Sequence, residues 1–140
     1  VRDCDSILLI EDSEEDYILL KRAFQRVSSR SNLFWVTSGA EARLTVLPDR
    51  RPPSFVLLDL HVPTANASFD FIRWARTDPI WKRVPIVLFT GDISPTDLDR
   101  AYELGINSCL KKPHEFDELV IAVEALLRYW CRTVELPVVN

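Results

Sequence analysis

Four places in this 140-residue chain carry side chains that could do chemistry together: Glu11-Asp12, Asp59, Thr90-Gly91 and Lys111-Lys112-Pro113. Each follows a short, solidly apolar run, at 7–10, 55–58, 85–89 and 108–110. Brought to one place, three carboxylates, a hydroxyl and one ammonium leave a net charge of −2. That deficit calls for a divalent cation. An all-oxygen donor set suits Mg²⁺, which favours octahedral geometry and keeps several waters. One acid after an apolar run is commonplace, but a matching set after four of the five such runs is hard to reach by accident.

These residues meet only if the runs are neighbouring strands. Apolar stretches of four or five residues without alternation, the fifth being 33–36, have the composition of strands buried on both faces of a parallel sheet. Between them the apolar period changes to 3.6 residues. Tyr17, Leu20, Phe24 and Val27 form one stripe, Phe71, Trp74 and Ala75 begin another, and Leu119, Val123, Leu126 and Trp130 form a third. Ser13 with Asp16, Ser38 with Glu41, and Ser94 before Pro95 mark helix starts, and Gly105 suits a helix end. The pattern βαβαβαβαβα predicts an α/β fold: a flavodoxin-like (βα)5 doubly wound sandwich with a parallel five-stranded sheet in the order 2-1-3-4-5. In such sheets ligands bind outside the carboxyl ends of the strands, where the acids, the hydroxyl and the lysine fall.

Composition narrows the function. The net charge of −4, with no long run of one sign, gives no nucleic-acid footprint. No apolar stretch approaches the ~20 residues of a membrane span. Glycine numbers 3, so there is no glycine-rich nucleotide cradle. Cys4, Cys109 and Cys131 are widely spaced and form no metal-type pair, and His61 and His114 have no second ligand at zinc-like spacing. A cytoplasmic protein with reduced thiols is the expectation. The four tryptophans are expected to serve packing rather than stacking on bases.

As a set, Glu11-Asp12, Asp59 within Leu58-Asp59-Leu60-His61-Val62-Pro63, Thr90-Gly91 and Lys112-Pro113 resemble the receiver domain of two-component response regulators. The resemblance spans 5–128 and implies the following roles. Asp59 is the phosphoacceptor, taking a phosphoryl group from a sensor histidine kinase. Asp12 and Asp59 ligate Mg²⁺ directly, the His61 backbone carbonyl is a third ligand, and Glu11 acts through water. Lys112 pairs with Asp59 and then with a phosphoryl oxygen, while Thr90 and the Gly91 amide also contact that group. Pro113 is expected in cis.

Departures from the family pattern are visible too. Cys109 stands where a switch aromatic is usual, and Ser68 stands where a glycine normally precedes the next helix. Residues 129–140 extend past the domain and are apolar. Trp130 and Leu136-Pro137, with Phe69-Asp70-Phe71-Ile72 and Asp78-Pro79, are similar to single-domain regulators paired with phytochrome-type sensor kinases, which implies a bacteriophytochrome partner. A homodimer through the fourth and fifth helices with the tail as a clasp is expected; the alternative is a tail folded back on its own domain. Two other functions compete: a phosphorylation-independent interaction module, and an aspartate-nucleophile phosphatase. The latter would need an acid where His61 stands.

Overall fold

The computed structural model describes residues 6–28, 32–48 and 50–137. Five strands, β1 (Ile7–Ile10), β2 (Leu33–Val36), β3 (Phe55–Leu58), β4 (Ile86–Thr90) and β5 (Ser108–Lys111), form one parallel sheet in the order β2-β1-β3-β4-β5. Five helices alternate with them: α1 (Glu14–Val27), α2 (Gly39–Leu44), α3 (Ala65–Thr77), α4 (Pro95–Leu104) and α5 (Phe116–Arg128). This is the flavodoxin-like order the apolar runs predict.

The central strands are buried on both faces, and alternation sorts their side chains into two layers. Leu8, Ile10, Val56, Leu58, Ile86 and Leu88 join Phe69, Phe71 and Ile72 of α3. Ile7, Leu9, Phe55, Leu57, Val87 and Phe89 join Leu20 and Phe24 of α1 and Leu119, Val123 and Leu126 of α5. The edge strands β2 and β5 are only partly buried.

Side chains set the helix ends. Ser13, Ser38, Thr64 and Ser94 each accept a hydrogen bond from the amide three residues on, and Pro95 opens α4. Gly105 ends α4 with φ 109°, in the left-handed region. Its carbonyl accepts from Arg76 Nε at 2.7 Å, and the same guanidinium reaches the Val84 carbonyl at 2.9 Å and Asn107 Oδ1 at 3.0 Å. Arg76 thereby ties the end of α3 to the segments entering β4 and β5. A 3₁₀ turn, Trp81–Arg83, precedes β4, and the rings of Phe71, Trp74 and Trp81 pack together there.

Three details differ from the sequence expectations. Ser68 is a buried residue within α3 rather than part of the preceding loop, because Thr64 caps that helix earlier. The cis peptide bond among the described residues is Val62–Pro63, not Lys112–Pro113. The X–Pro amide has only a small trans preference, so which of several prolines is cis depends on tertiary context. Cys131 is disulfide-bonded, against the expectation of reduced thiols; Cys109 is free. Cys4 lies outside the described residues.

Residues of the tail up to Leu136 pack on their own domain. After α5 a π-helical turn, Tyr129–Thr133, carries Trp130 and Cys131 into the layer of α1 and α5, with Val134 and Leu136 packed alongside. Trp130 stacks near Phe55, with ring centroids 6.2 Å apart. Among the described residues, no helix is long and apolar enough to cross a membrane.

Candidate functional site

The sheet ladder runs one residue beyond three strands and fixes three site residues by their backbones. Glu11 N–H donates to the Val36 carbonyl at 3.0 Å, Asp59 N–H to Ile10 at 3.1 Å, and Lys112 N–H to Thr90 at 2.7 Å. Residues directly after neighbouring parallel strands therefore sit side by side at the carboxyl edge.

Their side chains converge there. Lys112 Nζ donates to Glu11 Oε1 at 2.9 Å, to Asp59 Oδ2 at 2.9 Å and to Asp16 Oδ2 at 3.0 Å. Asp59 Oδ1 accepts from the Thr90 hydroxyl and from the His61 amide, each at 3.1 Å. Both oxygens of Asp59 are thus oriented, one by an ammonium and one by two neutral donors. Thr90 is buried at the end of β4. A Cβ built on Gly91 would meet no atom within 4 Å, so the space beside that residue is open.

Electrostatics sort the acids. Burial, then the neighbouring Asp16 carboxylate and the charge of Asp59, push Glu11 up to about 8 against the pull of Lys112. Burial also raises Asp59, but the hydrogen bond and charge of Lys112, the His61 amide and the Glu11 side chain outweigh it and hold Asp59 below the usual carboxylate range. Asp16 is held low in the same way, burial being outweighed by the neighbouring Glu11 side chain and by Lys112. Lys112 is raised: desolvation opposes its charge, and Asp59 and Glu11 overcome that.

The donor set fits a hard divalent cation. Carboxylate oxygens of Glu11, Asp16 and Asp59 lie within 4.8 Å of one another. Glu11 Oε2 is buried and has no hydrogen-bond partner, an arrangement that is costly unless something else satisfies the oxygen. Oxygen-only ligation is the chemistry of Mg²⁺, Ca²⁺ or Mn²⁺.

Of the residues singled out in the sequence, the structure brings together Glu11, Asp59, Thr90 and Lys112. Asp12 is exposed and is not among the three acids whose oxygens lie within 4.8 Å of one another. The imidazole of His61 is exposed, and only its amide touches Asp59. Cys109 is half-buried against the α3 layer, and burial pushes its thiol up.

Three residues at the site escaped the sequence reading. Asp16 stands in the sequence only as a partner of Ser13 at a helix start. Ser68 donates its hydroxyl to the Asp59 carbonyl at 3.1 Å, fixing the acceptor's backbone from α3. Trp35 donates from its indole to the Glu11 carbonyl at 2.6 Å. Only the period of the chain could have flagged Asp16, which follows the capping residue Ser13 by three.

Comparison with known proteins agrees with the geometry. The family model "Response regulator receiver domain" matches residues 7–124. The chain is 34% identical over 128 residues to "Probable methanogenesis regulatory protein FilR2" of Methanothrix harundinacea, covering 89% of this chain and 82% of that one. It is 28% identical over 136 residues to the response regulator Rcp1 of Synechocystis, covering 94% and 92%. The Mn²⁺-bound structure of Rcp1 superposes with a TM-score of 0.81 at 27% identity, over 96% of this chain and 99% of that one. The phosphorylated cyanobacterial phytochrome response regulator RcpA shares the fold with a TM-score of 0.85 at 24% identity, over 99% and 100%. Five parallel strands in this order, an aspartate held between a lysine and a threonine at their carboxyl edge, and a family match across most of the chain have one meaning: this protein belongs to the response regulator receiver domain family.

Proposed function

We propose that the chain acts as a response regulator that accepts a phosphoryl group on Asp59 from a sensor histidine kinase. The observation that carries this reading is the two-sided hold on Asp59: Lys112 at 2.9 Å from one oxygen, and Thr90 and the His61 amide at 3.1 Å from the other. In the transfer, an Asp59 oxygen attacks phosphorus, an O–P bond forms, and the P–N bond to the donor imidazole breaks. The leaving imidazole takes up a proton. The transition state is loose, so the residues act by position and charge. Lys112 and the Thr90 hydroxyl donate to phosphoryl oxygens, assisted by the Gly91 amide, and the open space beside Gly91 admits the group.

Mg²⁺ is the proposed ion, and when bound it supplies positive charge opposite the transferred phosphoryl group. Asp12 and Asp59 would hold it directly with the His61 carbonyl, and Glu11 would act through water. Incubation with a small phosphodonor and Mg²⁺, followed by intact mass measurement, tests the function. One added phosphoryl group on the wild type and none on Asp59→Asn is expected. No addition to the wild type, or equal addition to the variant, rejects it.

The partner proposed is a phytochrome-type kinase, on the likeness to Rcp1 and RcpA along most of the chain. Phosphotransfer profiling against purified sensor kinases, with a bacteriophytochrome among them, tests this. A homodimer through α4 and α5 is supported by exposed Tyr102 on α4, Ile121 on α5 and Tyr129 just beyond it. The tail contributes less to such a clasp than its sequence implies, since Trp130 and Leu136 already pack on their own domain. Light scattering of Ile121→Glu should give half the mass of the wild type if the dimer forms there.

A further inference from the structure

We propose that Asp16 is a positioning residue, holding the Lys112 ammonium from the side of α1 so that one of its N–H groups faces Asp59. This rests on the phosphoacceptor reading above. A lysine ammonium has three N–H groups. Lys112 directs them at three carboxylates, Glu11 at 2.9 Å, Asp16 at 3.0 Å and Asp59 at 2.9 Å. Two of these acceptors, Glu11 and Asp16, belong to β1–α1 and stay unchanged when Asp59 is modified. They form a two-point anchor that leaves the third N–H for the oxygen being transferred. A four-carbon side chain without such anchors keeps its rotamer freedom and delivers its charge less accurately.

Helix geometry makes Asp16 suited to this. The Ser13 hydroxyl accepts the Asp16 amide at 3.2 Å, so the first turn of α1 fixes the Asp16 backbone. At the matching position of α2, Glu41 turns its carboxylate back to the N-terminal side, accepting from the Thr37 amide at 2.9 Å and hydroxyl at 2.8 Å. Its carboxylate thus serves the local chain just before the cap, as the acid of a capping box serves the cap itself. Asp16 instead sends Oδ2 across the site to a lysine 96 residues away in sequence. Its carboxylate serves Lys112 where the local pattern alone would assign it to the helix.

The test has two arms. NMR of the ¹⁵N-labelled full chain should show the Lys112 ammonium as a slowly exchanging signal, broadened or lost in Asp16→Ala and restored in part by Asp16→Glu. Phosphorylation by a small phosphodonor with Mg²⁺ should slow about tenfold in Asp16→Ala, and the same substitution in a Lys112→Ala background should change nothing further. An acid acting on the ion alone would keep its full effect without the lysine. An unchanged ammonium signal, or a slowing that persists in the Lys112→Ala background, overturns the proposal. Asp16→Asn, which preserves shape, decides both arms should Asp16→Ala fail to fold. If the wild type accepts no phosphoryl group, the functional reading falls and the ammonium signal alone decides the role of Asp16.

Discussion

The indole N–H of Trp35 donates to the main-chain carbonyl of Glu11 at 2.6 Å, while its ring lies parallel to Tyr17 with centroids 4.2 Å apart. A residue of the edge strand thus pins the acidic turn from outside, and Tyr17, next to Asp16, completes the clamp. Trp35→Phe keeps the stacking and leaves the Glu11 carbonyl without this donor. The expected cost is about 1 kcal/mol in urea unfolding. The indole should also report on the site: addition of a divalent cation should change tryptophan emission in the wild type and much less in Trp35→Phe. Equal responses would mean that the signal arises elsewhere.

Glu11 sets a pH dependence of stability with a definite sign. Its pKa rises from an ordinary 4.5 to about 8 on folding, so between those values the folded state binds the extra proton. This contribution is fully present below pH 4.5 and is lost as pH rises through 8. Asp59 and Asp16, held low, act oppositely: their contribution is lost as pH falls through the acid range. Urea unfolding without added metal should therefore show stability declining from about pH 5 to pH 8. Glu11→Gln should flatten that decline. A wild-type profile that rises across this window would contradict the assignment.

Arg76 and Gly105 form a second structural joint, away from the chemistry. Gly105 needs its left-handed backbone, and a Cβ there would come within 3.1 Å of Arg76 Nε. Gly105→Ala is expected to cost about 1–2 kcal/mol from backbone strain, with more from displacing the guanidinium. Arg76→Met removes the donors to Gly105, Val84 and Asn107 while keeping much of the stem. It should lower the thermal midpoint further than Gly105→Ala, because buried carbonyls lose a charged partner. The reverse ranking would assign the strain, rather than the hydrogen bonds, the larger share.

Trp130 tests the course of the tail. It is 8% exposed, and Trp130→Ala should cost about 3–5 kcal/mol, the range for a buried aromatic. A chain ending at Arg128 should be destabilised comparably. If both unfold at the wild-type midpoint, the tail does not pack on its own domain in solution.

Much of the fold was legible because apolar runs of four residues are nearly self-defining. Residues 7–10, 33–36 and 55–58 coincide with strands, and Ser94-Pro95 and Gly105 bracket α4 as their chemistry dictates. The residues after strands 1, 3, 4 and 5 were legible as a site for the same reason: strand order alone brings them together. What stayed hidden depends on direction rather than type. Glu14, Glu15 and Asp16 look alike in a sequence, yet successive helical positions point about 100° apart and only Asp16 faces Lys112. Ser68 and Trp35 act through main-chain carbonyls, which no side-chain motif encodes. Arg76 gathers its partners from segments that are distant in sequence.

The two layers of side chains on either face of the sheet have a consequence for how this protein can change. Backbone stands between them, so a residue packed with α3 and one packed with α1 and α5 share no neighbours. Paired substitutions drawn from opposite layers, such as Ile72→Val with Val123→Ala, should add in their cost, whereas pairs within one layer should couple. The sheet works as a bulkhead. Either side can be refitted for a new partner while the other keeps its trim, with Asp59 held between Lys112 and Thr90 at the carboxyl rim of the sheet.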